Sequence, residues 1–227
     1  TQDSQDEGNV VSRIEQHVVR AHAMDKIEML ARILQAEGRG PTIVFCRTKR
    51  ACQKTSDDLL ERGFRAASIH GDLGQGAREK ALNDFKAGKS DVLVATDVAA
   101  RGIDIDGITH VINYQCPEDE KTYVHRIGRT ARAGADGISV TFVDWDELAR
   151  WKMIDTALVL GLGEPEETYS SSEHLYQTLN IPAGSTGRIT KQKPAAQSSK
   201  TESVAKVSKP AAERTARNRT RTKKFSS

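Results

Sequence analysis

The chain has 227 residues, 37% hydrophobic and 29% charged, with a formal net charge of +3. That length predicts one domain, large enough to bury a self-sufficient core, plus extra segments. No run of 18 apolar residues occurs, so no transmembrane helix is expected, and the acidic, polar residues 1–8 lack the basic-then-apolar order of a signal peptide.

Taken in chain order, residues 1–10 read as a linker. Residues 14–20 alternate in part (Ile14, Gln16, Val18) and predict a short strand. Asp25 stands where it would cap a helix over 26–37, with Ile27, Leu30, Ala31 and Leu34 on one face and Gly38, Gly40 and Pro41 ending it. Residues 42–46 form an apolar, β-branched run between turn residues and predict a buried strand. A helix over 50–61 ending at Gly63, a strand over 66–69 and a helix over 75–85 follow. Further strands are expected at 92–95, 110–113 and 138–143, with a short helix at 122–127 and a closing helix at 148–160 before Gly161 and Gly163. Short buried strands alternating with helices imply βαβ units, a mostly parallel sheet and helices on both faces. In such sheets ligands bind beyond the carboxyl ends of the strands.

Cys46, Cys52 and Cys116 are an odd number without C-x-x-C spacing, which argues against a disulfide framework or a zinc site and fits a reducing cytoplasm. Cys46 lies in an apolar run and is expected in the core. His70 and His110 have no partner in the sequence and read as structural. The domain is expected over 11–165, with a short extension at 166–183 and a basic tail at 184–227. That tail carries 12 Lys or Arg against 2 Asp or Glu, a net of +10, whereas residues 1–183 carry 22 against 29, a net of −7. Its composition cannot bury enough apolar surface to order it, so disorder is expected. Its charge suits nonspecific tethering of a polyanion such as nucleic acid by counterion release, with a solubilising, flexible extension the plain alternative, and its single aromatic, Phe225, argues against base stacking.

Two polar clusters carry the chemistry. Residues 125–132 read His-Arg-Ile-Gly-Arg-Thr-Ala-Arg, three arginines and a histidine among small residues. Arginine is suited to stabilising charge on a transferring phosphoryl group; a solvated basic turn is the plain alternative. Residues 95–104 read Ala-Thr-Asp-Val-Ala-Ala-Arg-Gly-Ile-Asp and directly follow the buried strand 92–95. Asp104 there suits a ribose hydroxyl, and Thr96 with nearby N–H groups suits phosphate; the plain alternative is an Asp-capped turn with one structural ion pair.

Together, in this order and about 20 residues apart, the clusters resemble motifs V and VI of superfamily 2 helicases. Tyr123-Val124-His125-Arg126-Ile127-Gly128-Arg129 points to the DEAD-box branch. Ile43-Val44-Phe45-Cys46-Arg47-Thr48 is similar to motif IV, and His70-Gly71-Asp72 with Gln75 and Arg78 is similar to the stretch ending in Q-x-x-R. The wider pattern is similar to bacterial RhlE-like members. One departure is Ala131, where the family usually has glycine.

The resemblance implies a RecA-like, three-layer α/β/α domain, the C-terminal half of an ATP-dependent RNA helicase that separates strands locally. It implies that Arg129 and Arg132 act as arginine fingers, that His125 and Arg126 couple the two domains, and that Gly102 and Asp104 face the ATP ribose. It assigns Arg47, Thr48, Gly71, Gln75, Arg78 and Thr96 to the RNA backbone. Without the resemblance, Gln75 and Arg78 read more simply as a helix cap and surface decoration. No G-x-x-x-x-G-K-[ST] loop and no Asp-Glu-Ala-Asp run occurs in the sequence. The family carries both on an N-terminal RecA-like domain that holds the phosphates and Mg2+, so the expected partners are that domain and RNA. The isolated chain is then expected to be a catalytically silent, cytoplasmic monomer. The rival readings are a stand-alone RNA- or protein-binding module and part of a DNA helicase.

Overall fold

A computed structural model of the chain describes residues 12–101, 103 and 105–189. The expected linker 1–10 and residues 190–227 of the expected tail lie outside the described residues. The chain divides into two units, 1–191 and 192–227, and only the first contains described residues.

Seven strands form one sheet: β1 (Ile14–Ala21), β2 (Thr42–Phe45), β3 (Ala66–Ile69), β4 (Val92–Ala95), β5 (His110–Asn113), β6 (Gly137–Val143) and β7 (Glu166–Thr168). Their order is β3-β4-β2-β5-β6-β1-β7, every pairing parallel. The helices are α1 (Lys26–Ile33), α2 (Lys49–Glu61), α3 (Gln75–Lys86), α4 (Asp97–Ala100), α5 (Glu120–Ile127), α6 (Leu148–Leu158) and α7 (Glu173–Thr178). This is the parallel sheet that the alternation of short strands and helices implied, in the RecA-like three-layer arrangement that the resemblance implied.

Alternation along each strand makes the layers. Val44, Val94, Ile112 and Val140 point into a cluster with Met29, Leu30 and Leu59 of α1 and α2. Their neighbours Ile43, Leu93 and Val111 point the other way, toward Phe85 of α3 and Ala99 and Ala100 of α4. Tyr123 and Ile127 of α5 meet Trp151 and Ile154 of α6 in a third cluster, with the Tyr123 and Trp151 rings 5.6 Å apart and edge-on. Because all strands run the same way, all their carboxyl ends lie on one edge.

Two expectations need correcting. Asp25 does not cap α1: its side chain makes no capping bond and instead accepts from Ser170 N (2.6 Å) and Ser170 Oγ (2.8 Å). The α1 helix stops at Ile33 rather than at 37, because Gln35 and Ala36 switch to tighter i→i−3 bonds and Glu37 N–H turns to Asn180 O at 3.0 Å. The stretch expected as a short extension, 166–183, supplies β7, paired to β1 through Val19↔Glu166 and Ala21↔Thr168, and buries Leu175, Leu179 and Ile181 against the first cluster. Residues 184–189, assigned to the tail, meet the C-terminal end of α2, where Ile189 N bonds Arg62 O at 2.8 Å and Arg62 donates to Gly187 O at 3.2 Å. Among the described residues no helix is long and apolar enough to cross a membrane.

Candidate functional site

The two polar clusters meet at the carboxyl ends of β4 and β5. Beyond β4, Thr96 leads into α4, whose first residue is Asp97. Beyond β5, Asp119 caps α5 by accepting Thr122 N at 2.7 Å, a bond that holds its carboxyl below the usual range. The last turn of α5 then carries His125 and Arg126.

Arg126 joins the two segments. Only 2% exposed, it donates from Nε and Nη2 to both Asp97 oxygens at 2.7 Å, and from Nη1 to Asn113 Oδ1 and Gln115 O at 3.2 Å. Its guanidinium lies 5.3 Å over the Phe45 ring. A bidentate pair of this kind fixes both partners. It bounds a cavity of about 60 Å³ whose lining includes Arg101, His125 and Arg129. His125 is exposed. Arg129 is half-buried and donates to Ile103 O at 3.1 Å; Arg132, also half-buried, donates from Nε to Gly128 O at 3.2 Å. Gly102 and Asp104 lie outside the described residues.

Ala131 occupies the left-handed region at φ 55°, ψ 27°. That conformation gives a physical reason for a glycine there, since an L-residue adopting it costs about 1 kcal/mol. The added methyl itself is accommodated, because Ala131 is buried in the third cluster. Packing here is tight: a Cβ on Gly137 would lie 2.3 Å from Thr130 Oγ1 and 2.9 Å from Ala131 N.

The residues assigned to RNA line the same edge, past β2, β3 and β4. Thr48 is exposed and caps α2 by accepting Ala51 N at 3.1 Å. Gly71 is exposed, and a Cβ there would meet nothing within 4 Å, so its backbone is open to close approach. Gln75 is exposed and donates to Glu79 Oε1 at 2.8 Å, while Arg78 donates to Ala99 O at 2.8 Å. Thr96 is buried, its N–H donating to Ile69 O at 3.3 Å. Arg47 is not a free cation at the surface. It ion-pairs with Glu147 and donates to Cys116 O at 3.3 Å.

Glu147, 3% exposed, is a residue that sequence reading missed. It also accepts from Cys116 N, Asp144 N and Arg150. Its signal was present as the capping-box spacing Asp144-Trp145-Asp146-Glu147. His70 also has a partner the sequence did not give: its Nε2 lies 3.0 Å from Gln53 Oε1, and its Nδ1 faces Asp72 N at 3.4 Å. The three cysteines are buried, and burial pushes each thiol up to about 12, so none is a thiolate near neutral pH.

Residues 25–134 match the family model described as the helicase conserved C-terminal domain. The chain is 50% identical over 142 residues to the ATP-dependent RNA helicase CshA of Listeria monocytogenes, and 46% over 145 residues to the DEAD-box ATP-dependent RNA helicase CshA of Bacillus subtilis. Those alignments cover 63% and 64% of this chain but 27% and 29% of the relatives. Among solved structures, it overlays on the E. coli DEAD-box protein SrmB bound to the regulator of ribonuclease activity A (TM-score 0.62, 31% identity, 71% of this chain and 92% of that one). It also overlays on the C-terminal domain of the DEAD-box protein Dbp5 (TM-score 0.63, 30% identity, 74% of this chain and 97% of that one). This chain belongs to the DEAD-box helicases, as their C-terminal domain. The DEAD-box domain therefore spans roughly a quarter of the length of the curated relatives it matches. Its matched region ends just past the 125–132 cluster, so the arginine-lined strand ends lie within the part shared with the family.

Proposed function

We propose that the domain is the nucleotide- and RNA-facing second half of an ATP-dependent RNA helicase, completed by an N-terminal RecA-like domain. The observation that carries this reading is the bidentate pair between buried Arg126 and half-buried Asp97. It ties the two motif segments together at the strand ends and leaves His125 and Arg129 on the cavity between them.

In this reading Arg129 and Arg132 set fixed positive charge against the phosphoryl group transferred from ATP, a contribution of ~10³ to 10⁵ in rate for such fingers. Arg126 acts through Asp97 as a positioning residue, and His125, exposed beside it, faces the other domain. Gly102 and Asp104 take the ribose side. The guanidinium groups suit triphosphate, but a cavity of about 60 Å³ holds only a fragment of ATP, as expected of a site shared between two domains. Among the described residues no group of three His, Cys, Asp or Glu side chains would hold a cation, so no step is assigned to Mg2+ here; the other domain is its proposed holder.

On the RNA side, Thr48, the open backbone at Gly71, Gln75, Arg78 and Thr96 form the proposed track for the sugar-phosphate backbone, which positions a strand without reading its sequence. Arg47 joins them with its charge already shared with Glu147. The chain itself is proposed to be a cytoplasmic monomer.

RNA-stimulated ATP hydrolysis tests the reading, with the chain alone and joined to a DEAD-box N-terminal domain. Hydrolysis is expected only in the joined protein, with RNA as the stimulant. Hydrolysis by the chain alone would contradict the two-domain site. RNA binding without hydrolysis in the joined protein would favour a binding module, and stimulation by DNA would favour a DNA helicase.

A further inference from the structure

The strands β6, β1 and β7 end side by side, and each delivers one ring to a common spot. Just past β1 stands His22, in the 3-10 turn after β6 stands Trp145, and just past β7 stands Tyr169. The His22 ring lies 4.2 Å from that of Trp145 and 5.2 Å, stacked, from that of Tyr169. The His22 Nε2 and Tyr169 hydroxyl are 2.9 Å apart. Trp145 remains 44% exposed and Tyr169 41%, and Met24, two residues beyond His22, is 94% exposed. The chain's other tryptophan, Trp151, is 1% exposed in the core, so exposing Trp145 is particular to this spot.

The rings are held stiffly. Asp25 ties the loop after β1 to Ser170 beside Tyr169. The turn carrying Trp145 is closed by the Asp144–Glu147 capping box, and Asp144 is paired to buried Lys26 at 2.5 Å. The surrounding charge is negative. The Arg20 guanidinium lies 5.0 Å over the Trp145 ring and is shared by Glu164 (3.2 Å) and Glu167 (3.6 Å), with exposed Asp146 and Glu166 nearby in sequence.

We propose that this face docks an arginine-bearing basic peptide segment of a protein partner. Trp, Tyr and Met on a stiff surface are the residue types that dominate binding energy, and stiffness lowers the ordering cost. Arg20 demonstrates within the chain that a guanidinium is accommodated against this ring, and guanidinium suits aromatic faces better than ammonium. The acidic rim attracts a basic segment and opposes phosphate, which favours peptide over RNA. The inference does not rest on the helicase reading, since none of these residues belongs to the clusters assigned to ATP or RNA.

The test uses the full chain and tryptophan fluorescence at about 0.15 M salt, where the Debye length is about 8 Å. The probes are a decapeptide alternating arginine and glycine, its lysine counterpart, and a decauridine RNA. The arginine peptide is expected to change the Trp145 signal, which is absent in Trp145→Phe, and the lysine peptide to bind at least about threefold more weakly. The double variant Glu164→Gln/Glu167→Gln, which removes both charges and keeps an acceptor for Arg20 and Tyr169, is expected to bind the arginine peptide at least about fivefold more weakly while keeping the far-UV circular dichroism of the wild type. Unchanged affinity in that variant would overturn the proposal. So would equal affinity for the two peptides, which would mean bulk charge alone, and so would a Trp145 signal that answers to decauridine more tightly than to the arginine peptide.

Discussion

Arg126 and Arg129 stand three residues apart in one motif, the first buried and the second half-buried. Arg126 spends four hydrogen bonds inside the domain, on Asp97, Asn113 and Gln115. Removing it leaves the buried Asn113 oxygen without its partner and returns the Asp97 carboxylate, 33% exposed, to water, a loss of about 2 kcal/mol. Arg126→Ala is therefore expected to lower the urea midpoint at unchanged slope, by an amount matching about 2 kcal/mol; a loss under about 0.5 kcal/mol would mean that the pair holds nothing together. The arginine-rich pattern marked the candidate site, yet nothing in it distinguished the buried arginine from the others. That distinction comes from Asp97, 29 positions earlier, and only the β4–β2–β5 pairing brings the two together. Glu147 and Arg47 are a similar case, with the capping-box spacing visible in the sequence and the arginine reaching it from another strand end.

At the level of elements, the buried strands were legible because apolar, β-branched runs bounded by turn residues leave few alternatives. What failed was short or polar. The β7 strand is three residues, Glu166, Glu167 and Thr168, with only the threonine buried, too little for alternation to register. The α7 helix spans six residues and buries one, Leu175. The missed cap at Asp25 has the same origin, since the Ser170 that draws its carboxylate away belongs to this unrecognised segment. If 166–183 is integral to the domain, Leu175→Ala removes a fully buried side chain from the main cluster and costs about 3 kcal/mol. Chemical denaturation should show one transition shifted as a whole. A separate early transition, or no shift, would mean that the segment is an appendage.

Across the whole molecule, net −7 over residues 1–183 and net +10 over 184–227 oppose each other along the chain, a division read directly from the sequence. The pH response was less legible, because it depends on burial. His110 in β5 is pushed down to about 4, first by burial and then by the charges of Arg39 and His17. Unfolded histidine titrates near 6.5, so between the two values the unfolded chain binds the proton and the folded chain does not. Stability should therefore fall as pH drops from about 6.5 to about 4, by up to about 3 kcal/mol, and this contribution should change no further below that. Denaturation at a series of pH values checks this, and His110→Leu should flatten the dependence in that window; an equal slope in the variant would assign it elsewhere.

In the proposed reading Arg129 serves chemistry while Arg126 serves the fold. The measurement that reaches it most directly is single-turnover ATP hydrolysis by Arg129→Ala, in the protein joined to its N-terminal domain, alongside its thermal unfolding. The expected result is a rate lower by about 10³ or more with an unfolding temperature lowered by no more than about 4 °C, as loss of the bond to Ile103 O requires. A wild-type rate, or a rate loss matched by a fall in stability like that of Arg126→Ala, would contradict it.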